Sequence, residues 1–227
     1  NIFELPSASF LQNKDLQDKN RSVFRENSFS FSGDLWCIPD NVDILGYFQS
    51  ENYFLHCSDR IREEFKFKSD VIERANNFLD SRNLKFNDAQ LNFSIHVRRG
   101  DYLQKSDYHH NLSLQYYRNI SNGLIRSVQP GQEYSVYVFS DDIEWCKENL
   151  GIEEAVYVDS NDAGIDLQLM SRCNVHVIAN SSFSWWGAWL SNAQREHVFA
   201  PQSWFGPQGP QDNSTLYANG WRIIGGE

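Results

Sequence analysis

From Asn92 onward the chain alternates between two periods of hydrophobicity. Phe93, Ile95 and Val97 recur at every second residue between polar neighbours, the pattern of a half-buried strand. Ser113 to Val128 switches to helical spacing, with Leu114, Tyr117, Leu124, Ile125 and Val128 inward, and Pro130-Gly131 ends that segment. Ser135 to Phe139 reads as an apolar strand, Asp142 to Leu150 as a short helix, Ala155 to Val158 as a strand and Ile165 to Cys173 as a helix. Val175 to Ala179 is a buried-type strand, Phe183 to Asn192 a helix, and His197 to Ala200 closes the series. This alternation predicts an α/β fold, a parallel sheet with helices on both faces.

The first part of the chain carries a weaker signal. In residues 1–60, polar runs such as Gln12 to Asn27 alternate with aromatic islands at Phe29–Phe31 and Tyr47–Phe48, which predicts a helix, a loop and one or two short strands. Arg60 to Arg82 reads as one amphipathic helix, with Ile61, Phe65, Ile72, Ala75 and Leu79 on one face. A domain boundary is expected between 91 and 92.

Composition narrows the function classes. An apolar fraction of 41% excludes a disordered tail, and 227 residues suffice for a real core. Against 30 acidic residues stand 20 basic ones, a formal charge of -10, which argues against a broad nucleic-acid face but leaves room for a small anion held by one or two arginines. No stretch approaches the roughly 18–20 apolar residues of a membrane span, and the opening residues do not read as a signal peptide. The chain opens at Asn1 with no start-like feature, as a fragment or a processed form does. Cys37, Cys57, Cys146 and Cys173 form no close pair, so neither a zinc site nor a disulfide framework is expected, and a reduced compartment is.

In parallel sheets ligands bind at the carboxyl ends of the strands, and three segments fall there: His96-Val97-Arg98-Arg99-Gly100-Asp101-Tyr102, Ser140-Asp141-Asp142, and Asn180-Ser181-Ser182-Phe183-Ser184-Trp185-Trp186-Gly187. They should converge on one edge. Arginine forks match phosphate oxygens, but neighbouring side chains of an extended segment point to opposite sides. Only one of Arg98 and Arg99 can therefore face a given ligand, and the other pairs with an acid such as Asp141 or Asp142. Asp101 can orient an arginine or act on a substrate hydroxyl. Ser181 or Ser182 caps the following helix, whose N-terminus suits phosphate. Asp166, in the first turn of its helix, can accept two N–H bonds from a guanine edge or simply favour the helix dipole. His96 can bond a phosphate or serve the structure. Trp185, Trp186 and Trp189 read as core more than as a sugar platform. No metal cluster or nucleophile–base pair is visible. The Arg99-Gly100-Asp101 tripeptide directly follows a buried strand and is not read as an adhesion loop. The Asn-x-Ser/Thr sequons at Asn20, Asn92, Asn111, Asn119, Asn180 and Asn213 fall partly in strands and helices and do not establish glycosylation.

The same three segments, in this order and spacing, resemble the motif set of glycosyltransferase family 11, the α-1,2-fucosyltransferases of bacterial surface polysaccharides and blood-group antigens. Gly46-Tyr47-Phe48-Gln49 resembles a further family segment. The resemblance implies a two-domain GT-B-like fold, with 92–227 as a Rossmann-like GDP-fucose domain and 1–91 as an acceptor-side domain with its connecting helix. It implies transfer of L-fucose from GDP-fucose to the 2-hydroxyl of a galactose-containing glycan, with inversion, no metal and no cofactor beyond the donor. Arg98 would hold the β-phosphate, Asp166 would read guanine, Ser181, Ser182, Phe183 and His96 would complete the donor site, and Asp101 would stand near the fucose or brace Arg98. Arg99, Asp141 and Asp142 would support them. The family's Gly-Gly-Leu-Gly-Asn-Gln-Met-Phe-Gln loop has no counterpart here, so the first domain is expected to be incomplete. Two other readings remain: a GDP-sugar-binding module without catalysis, and a carbohydrate-binding protein. The expected location is the cytoplasm, including the inner face of a bacterial membrane, with no nucleic-acid partner.

Overall fold

The computed structural model describes residues 2–5, 22–84, 86–87 and 89–225. Most of the polar run from Gln12 lies outside them. The chain divides into two compact units: Phe3–Lys66 with Asp212–Ala218, and Phe67–Gln211 with Ile2 and Asn219–Glu227. The division at Lys66–Phe67 precedes the expected one at 91/92, because the helix at 69–81 packs with the sheet unit.

In the first unit, β1 (Val23–Arg25) and β2 (Asp43–Leu45) pair in parallel. Ahead of α1 (Ser58–Glu64) stand three short 3-10 turns, at Gly33–Cys37, Glu51–Tyr53 and Leu55–Cys57. The Glu26 carboxylate accepts the N–H groups of Tyr47 at 2.8 Å and Phe48 at 3.2 Å. A side chain at Gly46 would meet Cβ of Glu26 at 2.5 Å, so this turn needs glycine. The 212–218 segment is tied in by Ser30 Oγ donating to the Asp212 carbonyl at 3.0 Å and by Phe31 N–H donating to Thr215 Oγ1 at 2.7 Å.

The second unit begins with α2 (Ser69–Ser81). The single helix expected over Arg60–Arg82 is in fact two, α1 and α2, interrupted at Phe65–Lys68. There Lys68 N–H donates to the Ile2 carbonyl in the sheet unit, and Lys66 accepts from Glu4 in the first unit. The break shifts the helical phase, so Val71 is buried in place of Ile72, which is 39% exposed.

A six-stranded sheet follows: β3 (Leu91–Val97), β4 (Tyr134–Ser140), β5 (Val156–Val158), β6 (Val175–Val177), β7 (Val198–Pro201) and β8 (Arg222–Ile224). Their spatial order is β5-β4-β3-β6-β7-β8, with every pair parallel. The chain builds outward from β3 in one direction and then restarts at β6 in the other, which is the doubly wound Rossmann order with its switch point between β3 and β6. The closing strand expected at His197–Ala200 is followed by β8, which the sequence reading missed because only three residues pair.

The expected helices form as α3 (Leu114–Ser127), α4 (Ile143–Asn149), α5 (Ala163–Arg172) and α6 (Ser182–Leu190). Side-chain caps start all four: Ser113, Asp142, Asp162 and Ser181 each accept a first-turn N–H. Between α3 and β4 the Gln129–Gln132 turn places Gly131 at φ +84°, which a side chain would disfavour. Alternation along the strands separates two cores. Phe93, Ile95, Val97, Val136 and Val138 meet Tyr116 and Tyr117 of α3 and Cys146 of α4, whereas Tyr137, Phe139 and Val158 meet Leu169 and Met170 of α5 and Ala75 and Leu79 of α2. The half-buried expectation for β3 is corrected: Asn92, Ser94 and His96 are 0%, 2% and 4% exposed, because this central strand is covered on both faces. Trp185 and Trp189 are core residues, and Trp186 is half-buried. The four cysteines are free thiols.

Candidate functional site

A cleft of about 350 Å³ opens at the carboxyl ends of β3, β4 and β5 beside the start of α6, and residues of all three anticipated segments line it. His96 and Arg98 come from β3 and its exit, Ser140 and Asp141 from the end of β4, and Phe183 from the first turn of α6. The far wall is the loop after β5 with the start of α5: Asp159, Asn161, Asp162 and Asp166.

The two-residue period of the strand puts His96 and Arg98 on one side and Val97 and Arg99 on the other. Arg98 donates to Asp101 Oδ1 at 2.6 Å and pairs with Asp141 Oδ2 at 3.1 Å, while its guanidinium carbon stands 5.2 Å from the centre of the Tyr102 ring. Its Nε is buried and has no hydrogen-bond partner among the described residues. The Arg98 guanidinium holds the Asp101 carboxyl below the usual carboxylate range. Asp101 is not among the residues lining the cleft and stands as a support for Arg98.

Arg99 takes the opposite course. Its Nε pairs with Asp142 at 3.2 Å, its guanidinium stacks on Trp145 at 3.6 Å, and its backbone N–H donates to Asp141 Oδ1 at 2.9 Å. Asp141 thus locks both neighbours, one through a side chain and one through the backbone. A Cβ at Gly100 would collide with the Asp141 carboxylate, so glycine is required there.

His96 is fully buried, and desolvation, then the positive charge of Arg98, pushes its pKa down to about 3. It is a neutral imidazole at physiological pH, and its Nδ1 has no partner among the described residues. Its ring lies 5.6 Å from that of Phe183. Ser181 is the cap of α6, accepting Phe183 N–H at 3.3 Å, which decides between the two candidate serines. Ser182 is the exposed first residue of the helix. Neither serine lines the cleft. Tyr102 O–H donates to the Asn180 carbonyl at 3.1 Å and so ties the end of β3 to the end of β6 across the switch point.

On the far wall Asp166 is half-buried, and the desolvation pushes its carboxyl up to about 6; the charges of Asp162 and Asp159 add to the rise, and a hydrogen bond from Ser160 Oγ at 2.5 Å opposes it. Asp159 pairs with Arg82 at 2.6 Å, and Asp162, the cap of α5, pairs with Arg74. Asp159, Ser160, Asn161 and Asp162 escaped the sequence reading, which followed the first, second and fourth strand ends but not the third. The polar run directly after Val158 was the available signal. Among the described residues no group of three or more His, Cys, Asp or Glu side chains could hold a metal ion.

A doubly wound sheet with a charged cleft beside its switch point defines the class: an α/β protein built to take a ligand at the carboxyl edge. The family model for glycosyl transferase family 11 matches residues 20–224, and the chain belongs to that family. It is 32% identical over 189 residues to an alpha-1,2-colitosyltransferase of Escherichia coli, covering 73% of this chain and 57% of the relative. It is 27% identical over 189 residues to a galactoside 2-alpha-L-fucosyltransferase of Bos taurus, covering 74% of this chain and 50% of the relative. The chain thus spans little more than half the length of the curated relatives it matches. Among solved structures it is similar to the alpha-1,6-fucosyltransferase NodZ, from Bradyrhizobium, soaked with GDP-fucose, at TM-score 0.47 and 15% identity over 70% of this chain and 56% of that one. That likeness assigns no role to any residue.

Proposed function

We propose that this chain carries the donor site of an α-1,2-fucosyltransferase, which moves L-fucose from GDP-fucose to the 2-hydroxyl of a galactoside with inversion and without a metal ion or other cofactor. The observation that carries the reading is the bipolar cleft: a fixed guanidinium on one wall and, on the other, a half-buried carboxylate whose pKa desolvation raises. A nucleoside diphosphate whose base offers N–H donors is complementary to both. The galactoside and the 2-linkage are supported by the activity of the Bos taurus relative, a galactoside 2-alpha-L-fucosyltransferase.

When the sugar bond breaks, negative charge grows on the β-phosphate. Arg98, held in place by Asp101 and Asp141, meets that charge without reorganising, and the N-terminal turn of α6 adds its dipole. Such groups lower the barrier because they act on charge that is larger in the transition state. Neutral His96 offers a hydrogen bond there and no cation. Asp166 accepts from the guanine edge. The acceptor hydroxyl attacks the anomeric carbon from the face opposite the departing GDP, and its proton is lost to a base or to water as the new bond forms or just after. This chemistry belongs in the cytoplasm, where GDP-sugars are at hand, with peripheral association at the inner face of a membrane.

Calorimetric titration with GDP is the direct test. Binding is expected to survive chelation, and a loss greater than about tenfold in EDTA, roughly 1.4 kcal/mol, counts against the assignment. A second reading, favoured by the identity to the colitosyltransferase, is that the transferred sugar is colitose. Competition between GDP-fucose and GDP-colitose for the GDP site separates the two.

A further inference from the structure

A second recess lies wholly within the first unit. It is an open concavity of about 530 Å³, lined among the described residues by Trp36, Asn52, Leu55 and His56. Trp36 and His56 meet edge to face, with ring centroids 4.8 Å apart at 79°. The indole is nevertheless 52% exposed. The volume is that of a small-ligand site, roughly 300–1,000 Å³.

Buried contacts hold the walls. Tyr53, 7% exposed, accepts Ser32 N–H on its hydroxyl at 3.1 Å and packs against Phe31 at 4.8 Å and Phe48 at 5.3 Å. It thereby joins the turn that carries Trp36 to the turns that carry Asn52, Leu55 and His56. Ser50 accepts Asn52 N–H at 3.3 Å and donates to the Thr215 carbonyl at 2.6 Å. A recess shaped by its own hydrogen bonds loses little freedom on binding.

We infer that the Trp36–His56 recess binds the galactopyranose ring of the acceptor glycan, stacked on the indole. Among the described residues no aspartate, glutamate, lysine or arginine lines it, and the polar groups that do are an amide and an imidazole, a lining that suits a neutral ligand. An aromatic face flanked by an amide and an imidazole suits a polyol with one apolar side: the ring covers the C–H groups, and Asn52 and His56 serve the hydroxyls. Galactose has such a side, because its axial 4-hydroxyl leaves the hydrogens on C3, C4 and C5 together on one face. The choice of a galactoside rests on the transferase reading above.

The test is saturation-transfer NMR and affinity titration of the chain with methyl β-galactoside and N-acetyllactosamine, using Trp36→Ala and Trp36→Phe. Saturation is expected at galactose H3, H4 and H5. Trp36→Ala should weaken binding by roughly tenfold or more, Trp36→Phe should keep part of the affinity, and GDP binding should be the same in all three proteins. Unchanged galactoside affinity in Trp36→Ala, or equal binding of methyl β-glucoside, overturns the inference. GDP binding without galactoside binding sinks this site and spares the donor reading. Trp36-dependent galactoside binding without GDP binding does the reverse.

Discussion

The two walls of the cleft manage charge in opposite ways. At the β3 end, Arg98 is a permanent cation gripped by Asp101 and Asp141, with a neutral imidazole beside it. At the α5 end, Asp159 and Asp162 have arginine partners, whereas Asp166 is held by the hydroxyl of Ser160 and half-buried beside its acidic neighbours. Burial therefore acts differently on the two walls. It leaves the guanidinium charged, because arginine does not deprotonate in proteins. It moves the carboxyl to the edge of neutrality, where N–H donors from a ligand can restore its charge. One wall waits for an anion, and the other for a donor edge.

The sharpest way to break this contrast is at Arg98. Arg98→Ala should lower transfer in a catalytically complete enzyme by on the order of 10²–10³ and weaken GDP binding in this chain. Arg98→Lys should recover only part, since it keeps the charge and loses the fork. GDP affinity near wild type in a folded Arg98→Ala protein would move the phosphate away from this wall.

The opposite wall is tested next. Asp166→Asn should erase about 1–3 kcal/mol of preference for guanosine over adenosine, the scale of a two-bond contact to a base edge, while inorganic pyrophosphate binding stays the same. Retained guanine preference would reassign the base end of the cleft.

A smaller effect concerns pH. The Asp166 carboxyl, with its pKa raised to about 6, is neutral below that value and charged above it. Guanosine has no phosphate to confuse the titration. Its affinity should be flat above pH 7 and fall by about tenfold per unit well below pH 6 as the acceptor is protonated. Asp166→Asn should remove the slope. His96 stays neutral throughout this range and should add nothing.

The smallest effect is expected on the far side of β3. Arg99→Ala removes the Asp142 pair and the stack on Trp145. A loss of about 1–2 kcal/mol should appear as a melting temperature lower by a few degrees, with GDP affinity unchanged. A selective loss of GDP binding at constant melting temperature would mean that the two arginines have exchanged roles.

Periodicity along the sequence was enough for the sheet unit's architecture. Residues 92–200 carry strong short-range patterns, so β3 to β7 and α3 to α6 were legible within one or two residues, and so was the opposite facing of Arg98 and Arg99, a consequence of backbone geometry alone. The strand-end rule also located one wall of the cleft. The signal failed where the deciding contacts lie far apart in the chain. The helix over 60–82 looks continuous by spacing, yet it breaks where Lys68 bonds Ile2, about 66 residues away. β8 is a strand only because β7 lies beside it. That Asp142, and not Asp141, takes the Arg99 side chain depends on where α4 sets Trp145. Above all, the raised carboxyl of Asp166 could not be seen in the sequence: a first-turn aspartate reads as an ordinary helix acid, and only packing of α5 against the sheet removes the water that would have kept it one.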